Sequence, residues 1–188
     1  MNIYEHFACY TKLPIKLADV KAFIIEREIV SEMFRYPVDL DPSVLRGGYQ
    51  LYRELAAPYM ERRLIARIGY PRTASEAYRR LITVKEMLHV YDPQDATAPT
   101  KDEVESLISD LLVEEAEKEI GLAAAADHSK LLNALCILLP RDALDIIRPE
   151  YKKGNVTIEA IAEEAKVPKS YVTIALTDAW RNVAESIT

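Results

Sequence analysis

The stretch that most constrains this chain runs from Ala123 to Leu139. It is very apolar, and Pro140 closes it. No apolar run in the sequence approaches the ~20 residues of a membrane span. The stretch therefore reads as a helix buried in a protein core. A chain of 188 residues is long enough to supply such a core, as one domain or one domain with a small appendage. Only 5 Gly and 3 Phe stand against many Ala, Leu and Glu, a balance that favours helices.

The remaining segments follow from period and punctuation. Residues 1–16 are irregular or a short helix. Asp19 is placed to cap a helix that continues to about Tyr36, where Pro37 stops it. Its stripe is Val20, Phe23, Ile24, Arg27 and Val30. Val38 to Gly48 is a turn-rich connection, and Tyr49 to Tyr59 is expected to form a further short helix. Arg63 to Gly69 is the best strand, partly β-branched and followed by the turn signal Tyr70-Pro71. Thr73-Ala74-Ser75-Glu76 is a capping box that opens a helix running to about Tyr91, ended by Asp92-Pro93. A second box, Thr100-Lys101-Asp102-Glu103, opens a helix with Val104, Leu107, Ile108, Leu111 and Leu112 on one face and acids on the other. Another short helix spans Arg141 to about Arg148. The expected fold is mainly α (α+β), with a small β-sheet. The division is 1–60 as an N-terminal helical region, 61–150 as a core, and 151–188 as a C-terminal helical subdomain.

The net charge is −6, so the protein as a whole is not an electrostatic binder of nucleic acid. The charge is uneven. Residues 61–85 carry seven bases and two acids, whereas residues 92–127 carry eleven acids and two bases. Two solvated faces and a partner surface are both readings of this asymmetry. Cys9 and Cys136 lie in apolar surroundings far apart in sequence and are expected to be buried, reduced thiols. With an N-terminus that lacks a basic region before an apolar stretch, this points to a cytoplasmic protein without a signal peptide.

The segment Lys85-Glu86-Met87-Leu88-His89 carries the chemical interest. A zinc-peptidase helix reads His-Glu-x-x-His, with two imidazoles at i and i+4 on the metal and the Glu as general base for water. Here Lys85 takes the place of the first imidazole, and a protonated lysine repels a metal and offers no lone pair. Glu86 and His89 remain, as vestigial general base and second ligand. Asp127 and His128 open the buried helix and are the candidates for a third ligand. Lys85 either fills the vacated place and pairs with Glu86 or Asp127, or extends to solvent.

The order of these segments resembles the ImmA/IrrE metallopeptidase family across roughly residues 60–180. The residues that carry the likeness are Arg79-Arg80 ahead of Lys85-Glu86-x-x-His89, then Asn133-Ala134-Leu135-Cys136-Ile137-Leu138-Leu139-Pro140, then Ile161 to Val167. The resemblance implies a helical zincin-like domain and a helix-turn-helix-like tail. It also implies a role in transcription regulation, by acting on a helix-turn-helix repressor of a mobile element or stress response. This chain departs from the family at Lys85, at the third ligand, and in the acidic segment from Lys101 to Ile120.

Residues 157–176 have a helix-turn-helix pattern of their own. Ala162 is small where two helices cross, Val167 follows the turn, and Val172 and Leu176 pack the second helix. The turn residue, Lys166, occupies a place that needs a left-handed backbone and favours Gly. The second helix offers Lys169, Ser170 and Tyr171 to DNA, with Lys169 as its one early cation. Phosphate contacts usually dominate affinity, so a packing role, with Trp180 docked on the main domain, is favoured over DNA binding. The sequence thus points to a non-catalytic regulator that binds a protein partner without a cofactor. The alternatives are a zinc peptidase with an unusual ligand set and a DNA-binding regulator. Partner identity and oligomeric state are open.

Overall fold

The structure, a computed structural model, describes residues 2–27, 29–39, 47–55, 62–92 and 122–187. Eight α-helices and a three-stranded sheet make up a mixed α+β fold among these residues. In chain order they are α1 (Ile3–Ala8), α2 (Leu17–Glu26), β1 (Glu32–Val38), β2 (Gly48–Leu55), β3 (Arg62–Pro71), α3 (Glu76–Met87), α4 (Leu122–Leu138), α5 (Arg141–Lys152), α6 (Ile158–Ala165), α7 (Lys169–Ala175) and α8 (Asp178–Ile187). A 3₁₀ turn, Leu88–Tyr91, continues α3.

The sheet has the order β1-β3-β2, with β1 parallel and β2 antiparallel to the central β3. On β3, the alternate residues Leu64, Ala66 and Ile68 pack on the helical core, as the period of two in a strand requires. Opposite them stand Met33 on β1 and Leu51 and Tyr49 on β2. The core continues through Leu81, Val84 and Met87 of α3 into Leu135, Ile137 and Leu138 of α4. The helix α4 that ends before Pro140 packs against α1 and α3, and its residues Ala134 to Leu138 are buried, as is Leu139 after it.

Two expected helices are not formed as such. The helix from Asp19 to Tyr36 ends at Glu26, its N-cap is Lys16, and residues 32–38 are β1 instead. Pairing with β3 supplies the backbone partners that Phe34-Arg35-Tyr36 lack in isolation. Pro37 is tolerated because β1 is an edge strand. The helix expected from Tyr49 is β2 over residues 48–55. Its Tyr49 and Leu51 face inward while Gln50 is exposed, a period of two rather than 3.6. Residues 1–60 are therefore not simply helical. The strand at 63–69 is present and extends to Arg62 and Pro71.

Smaller boundaries also differ. The N-cap of α3 is Ser75, whose side chain accepts from the Tyr78 amide, so Thr73 is not the cap. The short helix from Arg141 runs on to Lys152 with Pro149 inside it. Cys9 is exposed, its thiol bonded to the His6 carbonyl at the end of α1, while Cys136 is buried as expected. The helix expected after Thr100 lies outside the described residues.

The C-terminal segment is helical, in α6, α7 and α8. Lys166 joins α6 to α7 with φ 53° and ψ 46°, the left-handed geometry that its place in the turn requires. Val167, Val172, Leu176 and Trp180 are buried. No helix of the described residues is long and apolar enough to cross a membrane.

Candidate functional site

Residues Leu81 to Met87 are all buried, so the last two turns of α3 run through the interior. That placement decides the fate of Lys85. Its side chain is not extended to solvent: Lys85 is 4% exposed, as is Glu86. The ammonium Nζ lies 2.9 Å from Glu86 Oε1. Buried charges are retained when they are paired and hydrogen-bonded, and these two neighbours meet that condition together.

His89 sits on the 3₁₀ turn that continues α3, three residues after Glu86 and four after Lys85. His89 Nε2 is 3.8 Å from Glu86 Oε2, and its Nδ1 is 2.7 Å from Asp92 Oδ2. Asp92 in turn receives Lys130 from α4, with Nζ 2.5 Å from Oδ1, and the same ammonium donates to the Leu88 carbonyl at 3.2 Å. The result is an alternating chain of groups, Lys85, Glu86, His89, Asp92 and Lys130, that ties α3 to α4. Burial raises the Asp92 carboxyl pKa, but the hydrogen bonds and charges of Lys130 and His89 outweigh it and bring the pKa below the ordinary 3.8.

Strand β2 covers this chain from the sheet side. Tyr49 stacks on the His89 ring with centroids 5.6 Å apart. Burial, followed by the Asp92 charge, pushes the Tyr49 phenol up to about 12. Its hydroxyl is buried without a hydrogen-bond partner from the described protein groups. Just before β2, Gly47 approaches so closely that a Cβ there would lie 2.5 Å from both Glu86 Oε1 and Ile82 Cγ2. Glycine is required by this close approach.

A zinc ion does not fit the residues seen here. Glu86 is engaged by an ammonium, the Nδ1 of His89 is held by Asp92, and a metal between them would stand beside the Lys85 cation. No group of three or more potential metal-ligating side chains is gathered among the described residues. Asp127 and His128 lie on α4, but their side chains fall outside the described residues. His6 belongs to an aromatic group with Phe7, Tyr10 and Phe23 on α1 and α2.

At the C-terminal pair, Lys169 is exposed at the start of α7 and forms an ion pair with Glu159 of α6. Ser170 is exposed and Tyr171 half-buried. The early cation offered to DNA is thus already matched by an acid of the same helical pair.

Sequence reasoning missed Gly47, Tyr49, Asp92 and Lys130. Asp92 carried a local signal, since it follows His89 by three residues. The others come from β2 and α4 and reach the site only through tertiary packing. Compared with known protein families, curated proteins and solved structures, the chain matches none of them.

Proposed function

We propose that this protein is a non-catalytic, metallopeptidase-like regulator that acts by binding another protein. The observation that carries this reading is the buried ion pair between Lys85 and Glu86. It puts a cation where a zinc peptidase needs a ligand, and it occupies the carboxylate that would activate water. The zincin-like assignment for α3 and the helix-turn-helix assignment for α6 and α7 belong to this proposal. The left-handed Lys166 supports the second of them.

The surface proposed for a partner is the outer edge of β2. This strand is antiparallel to β3, and its other edge pairs with no described strand. It begins beside Glu86 and stacks Tyr49 on His89. An extended peptide segment adds to such an edge through main-chain hydrogen bonds. The family resemblance suggests a helix-turn-helix repressor as the source of that segment. The net charge of −6 and the Lys169–Glu159 pair favour a protein partner over DNA.

The test is the zinc content of the purified, untagged protein beside the Glu86→Ala, His89→Ala and Lys85→His variants. The proposal expects no stoichiometric zinc in the wild type. About one equivalent of zinc per chain, lost in His89→Ala, would overturn it in favour of a working metal site. Zinc gained in Lys85→His would identify this lysine as the step that silenced the site.

A further inference from the structure

Between α1, the end of α2 and the 3₁₀ turn after α3 lies an open cleft of about 390 Å³. Ile3 and Phe23 are buried at its base, Tyr4 and Ile29 are half-buried in its wall, and Arg27 and Tyr91 are exposed at its rim. Sites for small molecules occupy ~300–1,000 Å³ and are mostly apolar with a few polar groups that fix orientation. This cleft has that composition and stands at the lower end of that range. It is too small for a helix, whose diameter is ~10–12 Å.

The charge of the rim specifies what the cleft can hold. Arg27 is engaged by a ring and not by an acid: its Cζ lies 4.9 Å from the Phe23 ring centroid, and no described carboxylate pairs with it. A ring takes the face of a guanidinium and leaves its N–H edge for acceptors in the plane. The backbone under this cation is fixed, because Arg27 caps α2 with its amide donating to the Ile25 carbonyl. Tyr91 stands within reach of the same charge. Burial and the neighbouring Tyr4 push its phenol up to about 12, while Arg27 acts in the opposite sense. Tyr91 therefore keeps its proton and has an O–H to donate. Both polar groups are accessible from the cleft, one positively charged and one neutral, and both are donors.

We propose that the cleft binds a small aromatic carboxylate. Its carboxylate accepts from the N–H edge of Arg27, the side chain best matched to a planar acid, and from the Tyr91 hydroxyl. Its ring lies against Ile3, Tyr4, Phe23 and Ile29, where aromatic edges and faces and aliphatic surface are both offered. Tyr91 closes the turn that carries His89, so such a ligand touches the segment leading to Asp92. The inference does not rest on the regulatory reading of the α3 site.

Sodium cinnamate is the probe, titrated into the ¹⁵N-labelled full-length protein, with cinnamamide as its uncharged counterpart. Saturable amide shifts are expected at Ile3, Tyr4, Phe23, Arg27, Ile29 and Tyr91, with a thermal midpoint that rises with cinnamate. Cinnamate should bind about tenfold more tightly than cinnamamide. Arg27→Met, a change at an exposed side chain, should remove that preference. No saturable shift in the wild type, or shifts centred elsewhere, would overturn the site. Equal binding of acid and amide by the wild type would overturn the assignment to a carboxylate, and an unchanged preference in Arg27→Met would overturn the role of Arg27. Tighter binding of N-acetylglycylphenylalanine than of cinnamate would give the cleft to the end of a peptide and overturn the assignment to a small free acid. The wild-type measurements do not depend on the variant folding.

Discussion

Gly47 stands directly against the carboxylate of Glu86, with space for a hydrogen and not for a methyl group. This contact closes the sheet over the buried ion pair of α3. Glu86 is held by Lys85, and Ile82 is a β-branched core residue, so neither neighbour gives way easily. We expect Gly47→Ala to cost about 1–3 kcal/mol, the range for overpacking a core. Urea unfolding of Gly47→Ala and of wild type measures this. An unchanged midpoint would show that β2 does not pack as closely as described.

The Lys85–Glu86 pair predicts an asymmetry between single and double substitution. Lys85→Met leaves a carboxylate in the interior and should destabilise the protein by about 3–5 kcal/mol. Lys85→Met combined with Glu86→Leu removes both charges and should recover most of that loss. If the double variant is as unstable as the sum of the singles, each group is sustained by partners other than its neighbour.

Tyr49 gives a signature at alkaline pH. Its pKa is raised from 10.0 to about 12, so the folded protein holds this proton more tightly than the unfolded chain does. Its contribution to stability is complete below pH 10 and is lost as pH rises from there through about 12. Tyr49→Phe should reduce the loss of stability in that window. It should also cost little at neutral pH, because the buried hydroxyl has no described partner to lose. Thermal midpoints of both proteins at pH 8 and in the alkaline window test this. Parallel declines would exclude Tyr49 as a contributor.

Lys166 predicts a stabilising substitution. A side chain in the left-handed region costs about 1–2 kcal/mol, a cost that glycine avoids. Lys166 also pairs with Glu76 at 3.0 Å, so the comparison is between Lys166→Gly and Lys166→Ala, both of which lack that pair. The glycine variant should be the more stable by about 1 kcal/mol in chemical denaturation. Equal stability would argue against the left-handed turn between α6 and α7.

The helices of the second half were legible because their signals are local. The end of the apolar stretch, Ala134 to Leu139, had to be buried, Pro140 had to end the helix, and the pattern around Lys166 required a left-handed turn. The strand at 63–69 was legible for the same reason. The spacing of Lys85, Glu86 and His89 was also plain. The strands β1 and β2 were not legible, because their partner is β3 and strand pairing is settled between segments distant in sequence. The candidate site shows the same division. Sequence alone determined that Lys85, Glu86 and His89 follow one another at helical spacing. Only the tertiary structure decided that Lys85 is buried on Glu86, that Gly47 and Tyr49 cover it, and that Lys130 completes the chain through Asp92. The physical reason is that periodicity and capping act within a few residues, whereas burial of a charge depends on which distant surfaces close around it.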